Sequence, residues 1–231
     1  MSKVRRKSRS IPARQDSETH GAATGSTIYQ LKVILTGIYP EIWRRLLVSG
    51  NTTLSILHEV LQTAMGWTNS HVHRFSVAGA CYADPRLEDD WAGLGAEDES
   101  AARLCEVAPW VGDRVVYEYD LGDHWEHEIL VENVLPPDPA FVLPICLNGE
   151  GACPPEDCGG VSGYSSLVHS IREPRHEEHK ETVEWVGGKY DPDAVLRRKS
   201  FAIRQGFPGL TTKTRRREES QRIVRVFVSS W

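Results

Sequence analysis

The sequence predicts an α+β fold, with an antiparallel or mixed β-sheet in the first part of the chain and C-terminal helices packed on it. Two pairs of alternating apolar and polar runs predict two β-hairpins before residue 136. One amphipathic helical pattern lies between the hairpins, and two more follow residue 160. The length of 231 residues suits one domain with flanking segments.

The first hairpin is predicted between Tyr29 and Val48. Apolar side chains stand at every second position from Tyr29 to Leu35, and a turn with a glycine and a proline follows at residues 37–40. A second β-prone run then begins at Ile42. Two antiparallel strands follow from this pattern.

A helix and a third strand are predicted next. Thr53 has the residue type of an N-cap, apolar residues recur after it at helical spacing, and Gly66 stands where a helix end favours glycine. From His73 to Val77 the pattern is again that of a strand. Strand, strand, helix, strand is the order in which a β-grasp sheet begins, although order alone is weak evidence for that topology.

The second half of the body is predicted to hold one more hairpin, two loops and two helices. The hairpin turns at Gly122, between β-prone runs at 115–119 and 125–131. Residues 83–101 are acidic and residues 141–163 are rich in proline and glycine, so both segments are interpreted as loops. Two helices are predicted after them, one beginning at a Ser162 cap and one at 177–186, with Pro174 between them.

The formal charge of −5 is an average over three segments. Residues 1–27 carry a net +4, residues 28–199 carry −14, and residues 200–231 carry +5. We therefore divide the chain into a basic N-terminal arm, an α+β domain and a basic C-terminal tail, of which only the run IVRVFV at 223–228 is β-prone. The two ends are interpreted as solubilising flanks, with non-specific binding of nucleic acid as the alternative.

The compartment is predicted to be the cytosol. No window approaches the ~18 consecutive apolar residues of a membrane span. The basic start of the chain has no apolar core behind it, as a secretory signal would. Five cysteines are an odd number and too few for a disulfide scaffold, which favours reduced thiols.

Four motifs in the body resemble a known family. They are IYPEIWRRLLV, then TLSILHEVLQTAMGW followed by HVHRF, then YEYDLGDHWEHEI, and last CLNGEGACPPEDCGG followed by GY. In this order they resemble the plasmid pRiA4b Orf-three-like domain family, from about Tyr29 to about Arg198. The resemblance implies a bacterial α+β domain borne by plasmids or transposons, with no assigned activity. It does not extend to the basic tail after Ser200.

Three polar clusters contain candidate metal ligands. The first is His71 with His73, since residues i and i+2 of a strand project to the same side. The second surrounds the turn of the second hairpin, and the third is a loop of thiols and carboxylates. The second cluster consists of Asp120, Asp123, His124 and His127, and the third of Cys146, Cys153, Glu156, Asp157 and Cys158. Each has a structural alternative: a core histidine bonded to a carboxylate or carbonyl, aspartates that bond their own turn, and small buried cysteines.

A metal site would draw its ligands from all three clusters. The hypothesis names His73, His127, Cys146, Cys153, Cys158 and Glu156, and leaves His71, Asp120, Asp123, His124 and Asp157 as a further polar group. Nitrogen, sulfur and oxygen ligands together suit zinc or another borderline metal. Such a site would attach the loop to the sheet.

The leading functional prediction is an accessory or interaction domain of a mobile element, without catalysis. Trp and Arg are typical interface anchors, so Trp43, Arg44 and Arg45, together with the CPPEDC loop at 153–158, are the candidate surface for a protein partner. A place in the core is the alternative for Trp43. The sequence lacks the motifs GxSxG, GxxxxGK[ST], HExxH and GxGxxG. The alternatives are a metal-dependent hydrolase that uses the His, Asp and Cys residues, and a DNA-associated protein that binds through its basic ends.

Overall fold

The computed structural model describes residues 26–87, 95–194 and 199–200. The N-terminal arm up to residue 25 and the IVRVFV run therefore lie outside the described residues. Within those ranges the strands are β1 Ile28–Leu35, β2 Ile42–Ser49, β3 His73–Val77, β4 Ala80–Ala83, β5 Glu97–Asp98, β6 Arg114–Tyr119, β7 Trp125–Leu135, β8 Ile145–Glu150 and β9 Lys199–Ser200. The α-helices are α1 Leu54–Met65, α2 Leu104–Val107, α3 Gly160–Arg172 and α4 His179–Trp185.

All nine strands belong to one sheet, in the order β5-β4-β3-β6-β7-β1-β2-β8-β9. Only the short β4–β5 pair is parallel, so the sheet is mixed but mostly antiparallel and the predicted α+β class is confirmed. Both predicted hairpins are present, β1 with β2 and β6 with β7, and β1 also pairs with β7. The β-grasp arrangement is not confirmed, because two strands separate β3 from β1 in the sheet.

One face of the sheet carries the main core, and the other contacts solvent except at a smaller buried cluster of Ile28, Leu47 and Ile145. In β1, Leu31 and Val33 are fully buried, whereas the alternating Lys32 is only partly buried. The apolar side of α1 joins the same core on the packed face, as its amphipathic pattern predicts. Its ends are also as predicted: the Oγ1 of Thr53 accepts a hydrogen bond from the amide of Ile56, and Gly66 ends the helix with a φ of 102°.

Two segments interpreted as loops contain strands. The acidic segment includes β5 and the end of β4, and the segment 141–163 includes β8. The strand patterns of these two segments are weak in the sequence. β5 has only two residues, and β8 contains Cys, Asn and Gly. The partner of β8 is β2, about a hundred residues earlier in the chain. The helix predicted to start at a Ser162 cap begins at Gly160, with Gly159 as its N-cap at a φ of 88°.

The candidate protein-binding surface requires a correction, because Arg44 is completely buried. It lies on the packed face, where its guanidinium donates hydrogen bonds to the carbonyl oxygens of Ala64, Trp43, Glu150 and Gly151 at 2.8–3.0 Å. A side chain enclosed in this way cannot anchor a partner. Trp43 and Arg45 lie on the opposite face, in a cation–π contact with 5.2 Å between the Arg45 guanidinium carbon and the ring centroid.

Within the described ranges, we find no helix that combines the length and the apolar character needed to cross a membrane.

Candidate metal centre

The loop between β8 and α3, residues 151–159, is attached to the rest of the domain by side-chain hydrogen bonds. The Tyr190 hydroxyl donates to the carbonyl of Cys153 at 3.0 Å, and the Trp67 indole donates to the carbonyl of Pro154 at 3.0 Å. At the far end, the Gly159 amide donates to Asp123 Oδ2 at 3.1 Å. The loop backbone is therefore held in place by protein groups alone.

Glu156 is the most restrained carboxylate of this loop. Its Oε1 accepts hydrogen bonds from the amide of Thr68 at 2.8 Å and from the Tyr119 hydroxyl at 3.2 Å. Burial, together with the Glu156 carboxylate, raises the pKa of Tyr119 to about 12, so the hydroxyl remains a donor at neutral pH. The Tyr119 hydroxyl is also 3.2 Å from Oε2, and this second oxygen lies 3.7 Å from His71 Nε2.

Asp120 approaches the same point from the β6–β7 turn. Its backbone has a φ of 60°, a left-handed conformation that Asp and Asn adopt more readily than other residues with side chains. Its Oδ1 accepts the amides of Gly122 and Asp123, as the turn interpretation predicts. The second oxygen, Oδ2, lies 3.6 Å from His71 Nε2. The side chain thus serves the turn and the cluster together.

His71 lies at the centre of the cluster. Its Nε2 is 3.2 Å from Asp157 Oδ1, in addition to the oxygens of Asp120 and Glu156. This nitrogen is shielded from solvent and has no hydrogen-bond partner in the structure. Asp157 is the outermost member, with 73% of its side chain exposed and a φ of 57°. One imidazole and three carboxylates, from three separate segments, therefore meet at one surface position.

The arrangement has the spacing of a metal-binding group. Donor atoms of His71, Asp120 and Asp157 all lie within 4.8 Å of one another. Ligands that share an ion at ~2.0–2.2 Å stand about 3–4 Å apart, so small rotations of the side chains would complete the coordination. We refer to His71, Asp120, Glu156 and Asp157 as the carboxylate–histidine cluster. Three members of this cluster, His71, Asp120 and Asp157, form the group of closely spaced metal-ligand atoms found among the described residues.

The histidines of the predicted zinc set lie elsewhere. His73 Nε2 donates to the buried carboxylate of Glu99 at 2.8 Å, the structural alternative considered for this residue. His127 is fully buried and its Nδ1 donates to the carbonyl of Tyr117 at 3.3 Å, while its Nε2 has no partner. Burial lowers the pKa of His127 to about 4, so this imidazole is neutral at physiological pH.

The predicted sulfur ligands do not join the cluster either. Burial raises the pKa of the Cys146 thiol, raises that of Cys153 far above its usual range and raises that of Cys158 to about 12. All three are therefore protonated in the metal-free protein, and none of their sulfur atoms is among the closely spaced donors that include His71 Nε2. Cys146 instead donates to the carbonyl of Asn148 at 3.5 Å.

Asp123 and His124 support the structure around the site. Asp123 binds the Gly159 amide, and the exposed His124 donates from Nδ1 to Glu118 at 2.7 Å. Of the six residues in the predicted metal set, Glu156 alone belongs to the cluster; the other three members come from the further polar group. The sequence signals for these three are the His-x-His pair for His71, the turn position of Asp120, and the loop of thiols and carboxylates for Asp157. The bonding partners Glu99 and Tyr119 were missed.

Comparison with known proteins places the chain in a family. A family model described as plasmid pRiA4b ORF-3-like protein matches residues 27–199. The chain belongs to this family. The match includes the three segments that carry the cluster, and it excludes residues 1–26 of the basic arm and all of the basic tail at 200–231.

The chain is similar to one curated protein and to one solved structure. The uncharacterised protein y4hQ of Sinorhizobium fredii is 38% identical over 171 residues, which cover 74% of this chain and 87% of that protein. The crystal structure of MM3350, a protein of unknown function from Methanosarcina mazei Go1, is 32% identical, with a TM-score of 0.67 over 74% of this chain and 96% of that one. Neither relative has an assigned activity.

Proposed function

We propose that the protein is a metal-binding accessory domain whose divalent cation is held by the carboxylate–histidine cluster. The observation that carries the proposal is the position of His71 Nε2, shielded and unbonded, with carboxylate oxygens from three directions at 3.2–3.7 Å. The three carboxylates carry more negative charge than one imidazole can neutralise, which favours a divalent cation among them. A cation between the nitrogen and the oxygens would satisfy all four groups.

The donor set favours a borderline divalent ion. Imidazole nitrogen is typical of zinc and other transition-metal sites, while carboxylates also accept manganese. Sites for Mg²⁺ or Ca²⁺ are usually built from oxygen alone, which makes those ions the weaker candidates. We therefore propose Zn²⁺ or Mn²⁺ as the resident ion.

The test uses isosteric substitutions at Asp120 and Asp157, the two cluster aspartates whose backbone is in the left-handed region. Asp120→Asn and Asp157→Asn retain shape and tolerate positive φ, so each removes a charge with little change in the backbone. We expect each to weaken Zn²⁺ or Mn²⁺ binding by at least about tenfold, since even substitution of outer-shell partners of a metal ligand costs about 10–100-fold. Binding is measured by titration calorimetry on protein purified without a histidine tag.

The matched control is Asp138→Asn. Asp138 is an exposed turn aspartate whose Oδ1 accepts the amide of Ala140, and it lies outside the cluster. Equal affinities in the control and both cluster variants would refute the metal centre. So would the absence of bound metal in the wild-type protein at micromolar Zn²⁺ and Mn²⁺.

The loop that carries Glu156 and Asp157 is held without the proposed cation. Residues 151–159 are attached by Trp67, Tyr190 and Asp123 without an ion. The proposed cation is therefore added to a site whose backbone is already positioned. A protein partner of this accessory domain would recognise the loaded surface around Asp157.

A metal-dependent hydrolase is the second candidate, favoured by the exposure of Asp157. Structural zinc sites are usually closed by four protein ligands, whereas catalytic ones retain a position for water. A cation here would have its outer side open to solvent. Metal-stimulated cleavage of p-nitrophenyl phosphate esters, lost in Asp120→Asn and retained in Asp138→Asn, would favour the hydrolase over the non-catalytic role.

A further inference from the structure

A second surface feature, separate from the carboxylate–histidine cluster, is a groove beside the β3–β4 turn, β5 and α2. Its volume is about 500 Å³, and Val77, Tyr82 and Val107 are among its apolar lining residues. Three exposed carboxylates, Glu97, Asp98 and Glu106, also line it. We refer to it as the acidic groove.

The charge of the acidic groove is not neutralised by the part of the chain that the structure describes. No Lys, Arg or His lines it, and none of its three carboxylates forms a salt bridge with a described residue. A peptide segment with both basic and apolar side chains would complement this groove, because its cations could pair with the carboxylates and its apolar side chains could pack on the apolar lining.

The N-terminal arm leaves the domain next to this groove. The carbonyl of Thr27 accepts the amide of Gly50, whose own carbonyl accepts the amide of Cys105 in α2. The next residue of α2 is Glu106, which lines the groove. Twenty-five residues precede Ser26, and a chain of that length can span up to about 80–90 Å, so reach is not limiting.

The composition of the arm is complementary to the groove. Residues 3–14 read KVRRKSRSIPAR, with six cations, no acidic residue, and Val4 and Ile11 as apolar side chains. The basic C-terminal tail begins at β9, at the opposite edge of the sheet from β5. The tail is long enough to span the sheet, but its basic run at 215–217 is followed directly by Glu218 and Glu219, whereas residues 3–14 contain no acidic residue.

We propose that the basic N-terminal arm, residues 3–14, docks in the acidic groove of its own chain, with its cations on the three carboxylates and its apolar residues on the groove floor. Attachment to the same chain raises the local concentration of the arm to the order of millimolar, so weak contacts suffice. The arm is then shielded from other partners until a stronger polyanion competes for it.

Limited trypsin digestion of the full chain tests the proposal, because the arm is rich in cleavage sites. The test variant is Glu97→Lys with Glu106→Gln; glutamine retains the hydrogen bond that Glu106 Oε2 accepts from the Arg103 amide. Cleavage rates follow the fraction of time that a site is open, so we expect the variant to be cut within residues 3–14 about fivefold faster than wild type at low salt. Cleavage at residues 213–217 of the tail serves as the internal reference.

The control variant makes the same change in charge elsewhere. Glu177→Lys with Glu184→Gln alters two exposed residues on and before α4, and we expect its arm to be cut at the wild-type rate. Equal rates in the groove and control variants would overturn the proposal. Protection of the tail instead of the arm, or protection that depends on protein concentration, would overturn the choice of occupant.

Discussion

At the scale of single residues, Arg44 and Arg45 show how one step along a strand changes a role. Arg44 points into the core and donates to carbonyls at the end of α1 and at the β8–loop junction. Burial lowers its pKa, but the four carbonyl oxygens compensate for the lost water. Arg45 points to the solvent face and makes a two-point contact with Glu132.

We expect Arg44→Met to destabilise the protein by about 3 kcal/mol or more, because several buried carbonyls lose their donors at about 1–3 kcal/mol each. Arg45→Met is the neighbouring control and should cost about 0–1 kcal/mol, the usual range for a partly exposed ion pair. Urea denaturation of both variants measures the difference. Losses of similar size would show that the carbonyl contacts of Arg44 contribute little.

At the scale of elements, α1 and the central strands share a buried polar network. The His58 and His73 rings stack with centroids 3.5 Å apart. His58 Nε2 donates to Asn69 Oδ1 at 2.7 Å, so its Nδ1 accepts from the Tyr117 hydroxyl at 2.8 Å in the neutral form. Gln62 in turn donates to the same hydroxyl at 3.0 Å. Each polar atom of this group is satisfied when His58 is uncharged.

The network predicts acid sensitivity. Burial, and then the neighbouring His73, lowers the pKa of His58 from 6.5 to about 3. Between those values the unfolded chain binds a proton that the folded chain does not, so stability is full above pH 6.5 and is lost as the pH falls toward 3. Urea denaturation at pH 7 and pH 5 should show wild type losing more stability than His58→Gln. A loss in His58→Gln that equals or exceeds that of wild type would contradict the prediction.

Elements defined by neighbouring residues could be predicted from the sequence, whereas elements defined by distant residues could not. Thr53 and Gly66 delimit α1 because capping depends on neighbouring residues. β8 was missed because its pairing with β2 is distant in sequence. The cluster was named only in part for the same reason: 49 residues separate His71 from Asp120, and turn chemistry explains Asp120 equally well without a metal. Spatial neighbours of this kind require the tertiary structure.

At the scale of the whole molecule, an acidic domain lies between two basic ends. A body with a net −14 repels DNA, so any affinity for it should reside in residues 1–27 and 200–231. We expect replacement of Arg5, Arg6, Arg216 and Arg217 by Gln to weaken retention on DNA and to reduce its salt dependence, by up to about 0.9 in the logarithmic slope for each lost phosphate contact. Unchanged retention and slope would show that the body itself binds.

The position of β1 in the sheet also determines when the domain can form during synthesis. β1 pairs with β2 almost as soon as both have been made, but its other edge pairs with β7, and Ile28 meets Leu135. Closing a connection of this length is slow and comes late. A ribosome-bound chain that has exposed only the first hairpin and α1 should therefore remain protease-sensitive, and resistance should appear once β7 has left the exit tunnel.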